Sequence, residues 1–125
     1  MSKDQLTNQP TIATIAGQEF LVRQMVDSDF DYLTAWVRRT YIQSVRESFP
    51  EGMSDADKTL ELAVAYQQAA ELQWHNHAGA KIIACLDGTI QVLYVSIRRD
   101  MPTWTPGRLK QLLLDRAGNL PLDKL

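Results

Sequence analysis

Three short groups of residues in this 125-residue chain carry the side chains most often used for chemistry. The first is Trp74-His75-Asn76-His77. Two imidazoles two positions apart point to different sides of a continuing helix. No cysteine lies near them in sequence to complete a zinc set. A His-Asn-His nuclease centre spreads its residues over a hairpin and a helix, so adjacent letters do not make one. The pair reads as polar residues at a helix end. The second group is Asp27, Asp29 and Asp31. Their alternation suggests a calcium loop, but the glycine and the distal glutamate that such a loop needs are missing. They suit the positive end of a helix dipole instead. The third is Cys85, the chain's one cysteine, set between apolar residues without a nucleophile signature. It reads as a small buried hydrophobe. There is no Gly-x-Ser-x-Gly elbow, no phosphate-cradling Gly-x-x-x-x-Gly-Lys loop and no Gly-x-Gly-x-x-Gly fingerprint. The sequence therefore predicts no catalytic residue, no metal site and no cofactor.

The arginines suggest binding rather than catalysis. Arg38-Arg39 and Arg98-Arg99 are pairs, with Trp36, Tyr94 and Trp104 close to them in sequence. Arginine beside aromatic rings binds an acidic or extended partner, or stacks on bases. The alternative is solvated helix flanks with intramolecular ion pairs.

The elements that would position these groups follow from composition and period. The hydrophobic fraction is 45%, the charged fraction 22% and the net charge −2, with a pI near 5.6. A chain of this length buries roughly two thirds of its unfolded surface without staples. The acidic balance argues against a dedicated nucleic-acid binder. No apolar run is long enough for a membrane span, and a lone cysteine suits a reducing compartment. Residues 1–10 read as a flexible tail and 11–125 as a single globular domain. TIATIAGQEFLVRQM holds two β-rich runs around Gly17, a hairpin that must lean on something else. Phe30, Leu33, Val37, Tyr41 and Val45 predict an amphipathic helix over about 28–48. Ser54 caps a second helix over about 55–76, ended by Ala78-Gly79.

That second helix does not keep its apolar residues to one stripe. Leu60, Ala63, Val64, Ala70 and Trp74 make one face; Leu62, Ala65, Tyr66, Ala69 and Leu72 make another. A helix apolar on most sides is either central or covered by a partner. On the partner reading, Leu62, Tyr66 and Ala69 are contacts, and aspartate at Leu62 or Tyr66 abolishes capture with the fold intact.

Residues 85–106, CLDGTIQVLYVSIRRDMPTWTP, read two ways. Asp87-Gly88 between apolar runs signals a hairpin. Ile90, Leu93, Tyr94 and Ile97 instead fit a helix that stops before Pro102. Thr105-Pro106 then caps a last helix over about 106–117, closed by Gly118-Asn119. Periodicity alone leaves the first choice open.

Three segments together resemble the tail assembly chaperones and related small tail proteins of tailed bacteriophages and prophages. They are IAGQEFLVRQMVDSDFDYLTAWVRR, the alanine-rich helix after Ser-Asp-Ala-Asp, and VLYVSIRRDMPTWTPGRLKQLL. The resemblance covers most of residues 12–117. It implies a mainly α fold, an N-terminal β-hairpin packed on a small bundle of four to five helices, with 89–101 helical and Asp87 as its cap. It implies a non-enzymatic protein of the host cytoplasm that binds the helical tape measure protein or another tail protein, with self-association permitted and neither nucleic acid nor membrane involved. The expected partner-binding residues are Leu62, Tyr66, Ala69, Trp36, Arg39, Tyr94, Arg98, Arg99 and Trp104, with Met25, Met53 and Met101 as adaptable apolar surface. The rival of a different class is a structural virion component, a neck or tail-completion protein. EFLVRQMVDSDFDYLTAW is also similar to the opening strand and helix of acetyl-coenzyme A-dependent acetyltransferases, but the later Gly-x-Gly-type turn is missing.

Overall fold

The structure, a computed structural model, describes residues 9–118. The chain runs β1 (Thr11–Ile15), β2 (Gln18–Val22), α1 (Asp27–Glu47), α2 (Asp55–Ala70), α3 (His77–Ile83), α4 (Leu86–Ile97) and α5 (Pro106–Gly118). It is mainly helical with an N-terminal hairpin and five helices, the fold class expected from sequence. All but Gln9 and Pro10 of the expected tail, and Asn119 of the expected last cap, lie outside the described residues. The described chain divides into two compact units: Phe30–Cys85, and the described residues on either side of it.

The outer unit begins with the hairpin. β1 and β2 pair antiparallel, with Ile15 opposite Gln18 across the two-residue turn Ala16-Gly17. Both turn residues have positive φ, 52° and 79°, the backbone twist that matches a two-residue hairpin. The hairpin leans on helices through Phe20, whose ring meets the edge of Trp104 at 5.0 Å between centroids. Ile90, Ile97 and Leu109 complete that core. The Arg23 amide of the strand end donates to the Ser96 carbonyl of α4 at 2.8 Å.

Residues 86–97 resolve the two readings of the Asp-Gly region in favour of helix. Ile90, Val95 and Ile97 are buried and Leu93 and Tyr94 half-buried, a helical rather than alternating pattern. The boundaries differ from expectation. α4 starts at Leu86 and ends at Ile97, so Asp87 lies in the first turn instead of preceding the helix as its cap. It still favours the helix there, near the positive end of the dipole. Turn bonds from Asp100 and Met101 to the Ile97 carbonyl close the helix before residue 101. Thr105 Oγ1 then accepts from the Arg108 amide at 3.2 Å, and α5 begins at Pro106 as expected.

The inner unit has its own cluster. Ile42 of α1 packs with Ala65 and Ala69 of α2, and Tyr41, Val45 and Leu62 flank them. Ser54 caps α2 by accepting from the Asp57 amide. The helix stops at Ala70, six residues short of the expected end. Tertiary bonds outweigh helix propensity here. Arg38 donates to the carbonyls of Ala70 and Leu72 at 3.0 and 2.9 Å. The Trp74 amide bonds Thr34 Oγ1, and the Trp74 ring stacks on Phe30. Asn76 then caps a new helix by accepting from the Gly79 amide at 2.9 Å. Gly79, read from sequence as a helix stop, instead lies inside α3 and is buried. Its missing side chain matters, because a Cβ there would sit 1.7 Å from the Gln73 carbonyl oxygen. Cys85 also departs from expectation: it is exposed, with its Sγ donating to the Ile82 carbonyl.

Candidate functional site

Of the residues singled out for chemistry, Asp29 is buried, while Asp27, Asp31, His75, His77 and Cys85 are exposed. Among the described residues no three His, Cys, Asp or Glu side chains are grouped to hold a metal. His75 is exposed and meets the Trp74 ring edge-on. Asp29 is buried, and its carboxylate accepts from Arg98 at 2.7 Å and from the Val26 amide at 3.0 Å. Arg99 lies 3.6 Å from the same carboxylate and donates to the Gln24 carbonyl. Next to this group, Arg23 holds Asp100 through two bonds, at 2.5 and 2.9 Å. That hydrogen-bonding keeps the Asp100 carboxyl below the ordinary carboxylate range and raises the Arg23 guanidinium. These five charges fasten β2 and the start of α1 to the end of α4.

The arginine pairs thus have different surroundings. Arg98 and Arg99 are committed to Asp29, and Arg98 lies over the Tyr94 ring at 5.8 Å. Trp104 is only 8% exposed, sits in the core and carries the Arg108 guanidinium over its face. Tyr94 is half-buried against the same core, and Met101 packs beside it. Met25 and Met53 are half-buried as well. Tyr94, Arg98, Arg99, Met101 and Trp104 thus form a fastening and a core in the outer unit.

The inner unit presents a surface. Leu60, Val64 and Tyr66 of α2 are 67%, 50% and 54% exposed. Ala65, Ala69 and half-buried Leu62 form the opposite, packed side. At 3.6 residues per turn, exposed Tyr66, Ala70, Ala63, Leu60 and Val64 fall in one arc of α2, an apolar swath that also holds exposed Gln67. Against its Tyr66 edge, α1 supplies Arg38, Arg39 and Arg46, and between the helices lies a groove of about 490 Å³ floored by Ile42 and Ala69. Arg46 donates to the Tyr66 hydroxyl at 3.2 Å, and Tyr41 bonds Gln68 at the same junction. A second depression of about 760 Å³ lies around the Phe30–Trp74 stack. Asp31 and Arg38 both line it, so unlike the first it carries an acidic side chain.

Of the expected contacts, the structure brings Arg39, Tyr66 and Ala69 to one groove. Ala69 is its floor, and Leu62 belongs to the packing beneath. Trp36 is half-buried on α1. Sequence reasoning did not select Arg46, Leu60 or Val64 as contacts. The signal was present in the one-sided Leu60–Val64 face, but only burial shows which of two apolar faces packs inward. No described helix is by itself long and apolar enough to cross a membrane. Comparison of the chain with known protein families, curated proteins and solved structures returns no match.

Proposed function

We propose that the protein is a non-enzymatic tail assembly chaperone of a bacteriophage or prophage, which binds the helical tape measure protein in the host cytoplasm until tail-tube subunits enclose it. The observation that supports this reading is the apolar swath of α2, where Leu60, Val64 and Tyr66 are each at least half exposed. A cluster of large apolar side chains left in water on one helix face is the mark of an interaction surface. An amphipathic helix laid on it is the simplest complement. The phage-specific part rests on the sequence resemblance of the three segments quoted above.

Covering the exposed parts of these three side chains contributes about 1 kcal/mol each, so flanking contacts along the client helix must supply the rest of a reversible capture. A chaperone must release its client, so a modest gain fits the role. Quantitative mass spectrometry of purified particles and of the infected-cell lysate tests the proposal. The protein is expected in the lysate and absent from mature particles. Stoichiometric presence in the particle overturns the chaperone role and favours a structural tail or neck component.

A further inference from the structure

We infer that the groove between α1 and α2 recognises carboxylates flanking the apolar face of a partner helix, so that the client segment is acidic as well as amphipathic. This rests on the helix-binding reading above and adds the chemistry of the partner. Arg38, Arg39 and Arg46 line the groove, and no acidic side chain does. Among the described residues none of the three is in an ion pair, whereas Arg23, Arg98 and Arg99 all are. Arg38 is oriented by the carbonyls at the end of α2, and Arg46 by the Tyr66 hydroxyl. Arg39 is exposed on the rim. The charges are thus partly preorganised, and guanidinium groups match carboxylates in geometry as well as sign.

The floor decides between partners. Ile42, Ala69 and Ala70 are small or apolar and continue into the swath of Leu60 and Val64. A helix with leucines on one side and glutamates along its margin places apolar groups on that floor and carboxylates at the arginines. A polynucleotide would also meet the charges, but base binding depends on aromatic stacking platforms, and Tyr66 is the one aromatic side chain lining the groove. The chain's net charge of −2 further disfavours a polyanion with evenly spaced phosphates.

The test uses the full chain and two fluorescent helical peptides of about 20 residues, long enough to hold helix. One carries leucines at helical spacing flanked by glutamates; the other replaces every glutamate with lysine. Anisotropy titrations at low salt are expected to show the glutamate peptide binding at least about tenfold tighter, with the preference shrinking as salt rises. Arg39→Glu with Arg46→Glu is expected to abolish or invert the preference, and Arg39→Gln with Arg46→Gln to remove it. Circular dichroism confirms that the variants remain folded. Equal binding of both peptides by the unaltered chain overturns the acidic recognition while leaving helix capture standing. A preference that survives in the folded variants overturns the assignment to this groove. Failure of both peptides to bind overturns this inference and the helix-binding reading together. A single-stranded oligonucleotide that displaces the peptide and binds more tightly makes the groove a nucleic-acid site instead.

Discussion

Adding one methyl group at Gly79 sets two physical effects against each other. In an ordinary helix interior, Gly→Ala stabilises by about 1 kcal/mol through propensity. At Gly79 the new Cβ would sit 1.7 Å from the Gln73 carbonyl oxygen and 2.9 Å from Asn76 Oδ1. Ordinary contact begins at 3.4 Å, so the backbone of the preceding turn must move by more than an ångström. Such overpacking costs about 1–3 kcal/mol, and disturbing the Asn76 cap adds about 1 kcal/mol. The net effect of Gly79→Ala is a loss of about 2 kcal/mol. At about 4 °C per kcal/mol for a chain of this length, Tm falls by about 8 °C. Gly107 provides the control, since it lies in the first turn of α5 with nothing within 4 Å of its would-be Cβ. Gly107→Ala should raise Tm by about 3 °C, mainly by restricting the unfolded chain. Thermal unfolding followed by circular dichroism on both variants decides the matter. A neutral or stabilising Gly79→Ala would refute the close packing of the Gln73 turn against α3.

Three further outcomes follow from the same structure. Asp29→Ala leaves Arg98 without its buried carboxylate partner and should cost about 3 kcal/mol, whereas Asp87→Ala removes an exposed pair with Lys110 and a first-turn charge of α4 and should cost under about 1 kcal/mol; equal losses in urea titrations would contradict the assigned burial. The Asp100 carboxyl is held below its ordinary range by Arg23, so its contribution is present above the unfolded carboxylate pKa and disappears as pH falls through the folded value. The Tm difference between the unaltered chain and Asp100→Asn should therefore shrink on acidification below about pH 4, and a difference that grows would contradict the sign. Ala16 has a φ of 52° in the hairpin turn, so Ala16→Asn, which makes the favoured Asn-Gly pair, should stabilise by about 0.5–1 kcal/mol; a loss measured by urea titration would refute the turn geometry.

The hairpin, α1 and α5 were legible from sequence because each carries local signals: a glycine between β-rich runs, a helical period, and Thr-Pro at a helix start. The choice between hairpin and helix at 86–97 was not legible from period, because short apolar runs satisfy both patterns until burial selects one. The early end of α2 was hidden for a different reason. Alanine, glutamine and leucine favour continuing the helix through 76, and the opposing bonds come from Arg38 and Thr34, more than thirty positions away. The roles of the arginine pairs depended on the same long-range information. Asp29 looked like a helix-start charge, and it is one, but its burial beside Arg98 turns two expected contact residues into an internal fastening. Tyr66 and Arg39 could be named in advance, whereas the value of Arg46 and Leu60 emerges only when α1 and α2 are placed side by side.

The proposed capture of a client by the α2 face is tested most directly by mixing the purified chain with a tape measure protein of the same genome and measuring how much of it stays soluble. The unaltered chain should hold the client in a soluble complex that elutes together in size-exclusion chromatography. Leu60→Asp with Val64→Asp changes two side chains already half or more exposed, so folding should be retained, while the loss of about 2 kcal/mol of apolar burial should weaken capture by about 30-fold. A client that precipitates with the unaltered chain present, or that is held equally well by the folded double variant, would contradict the account.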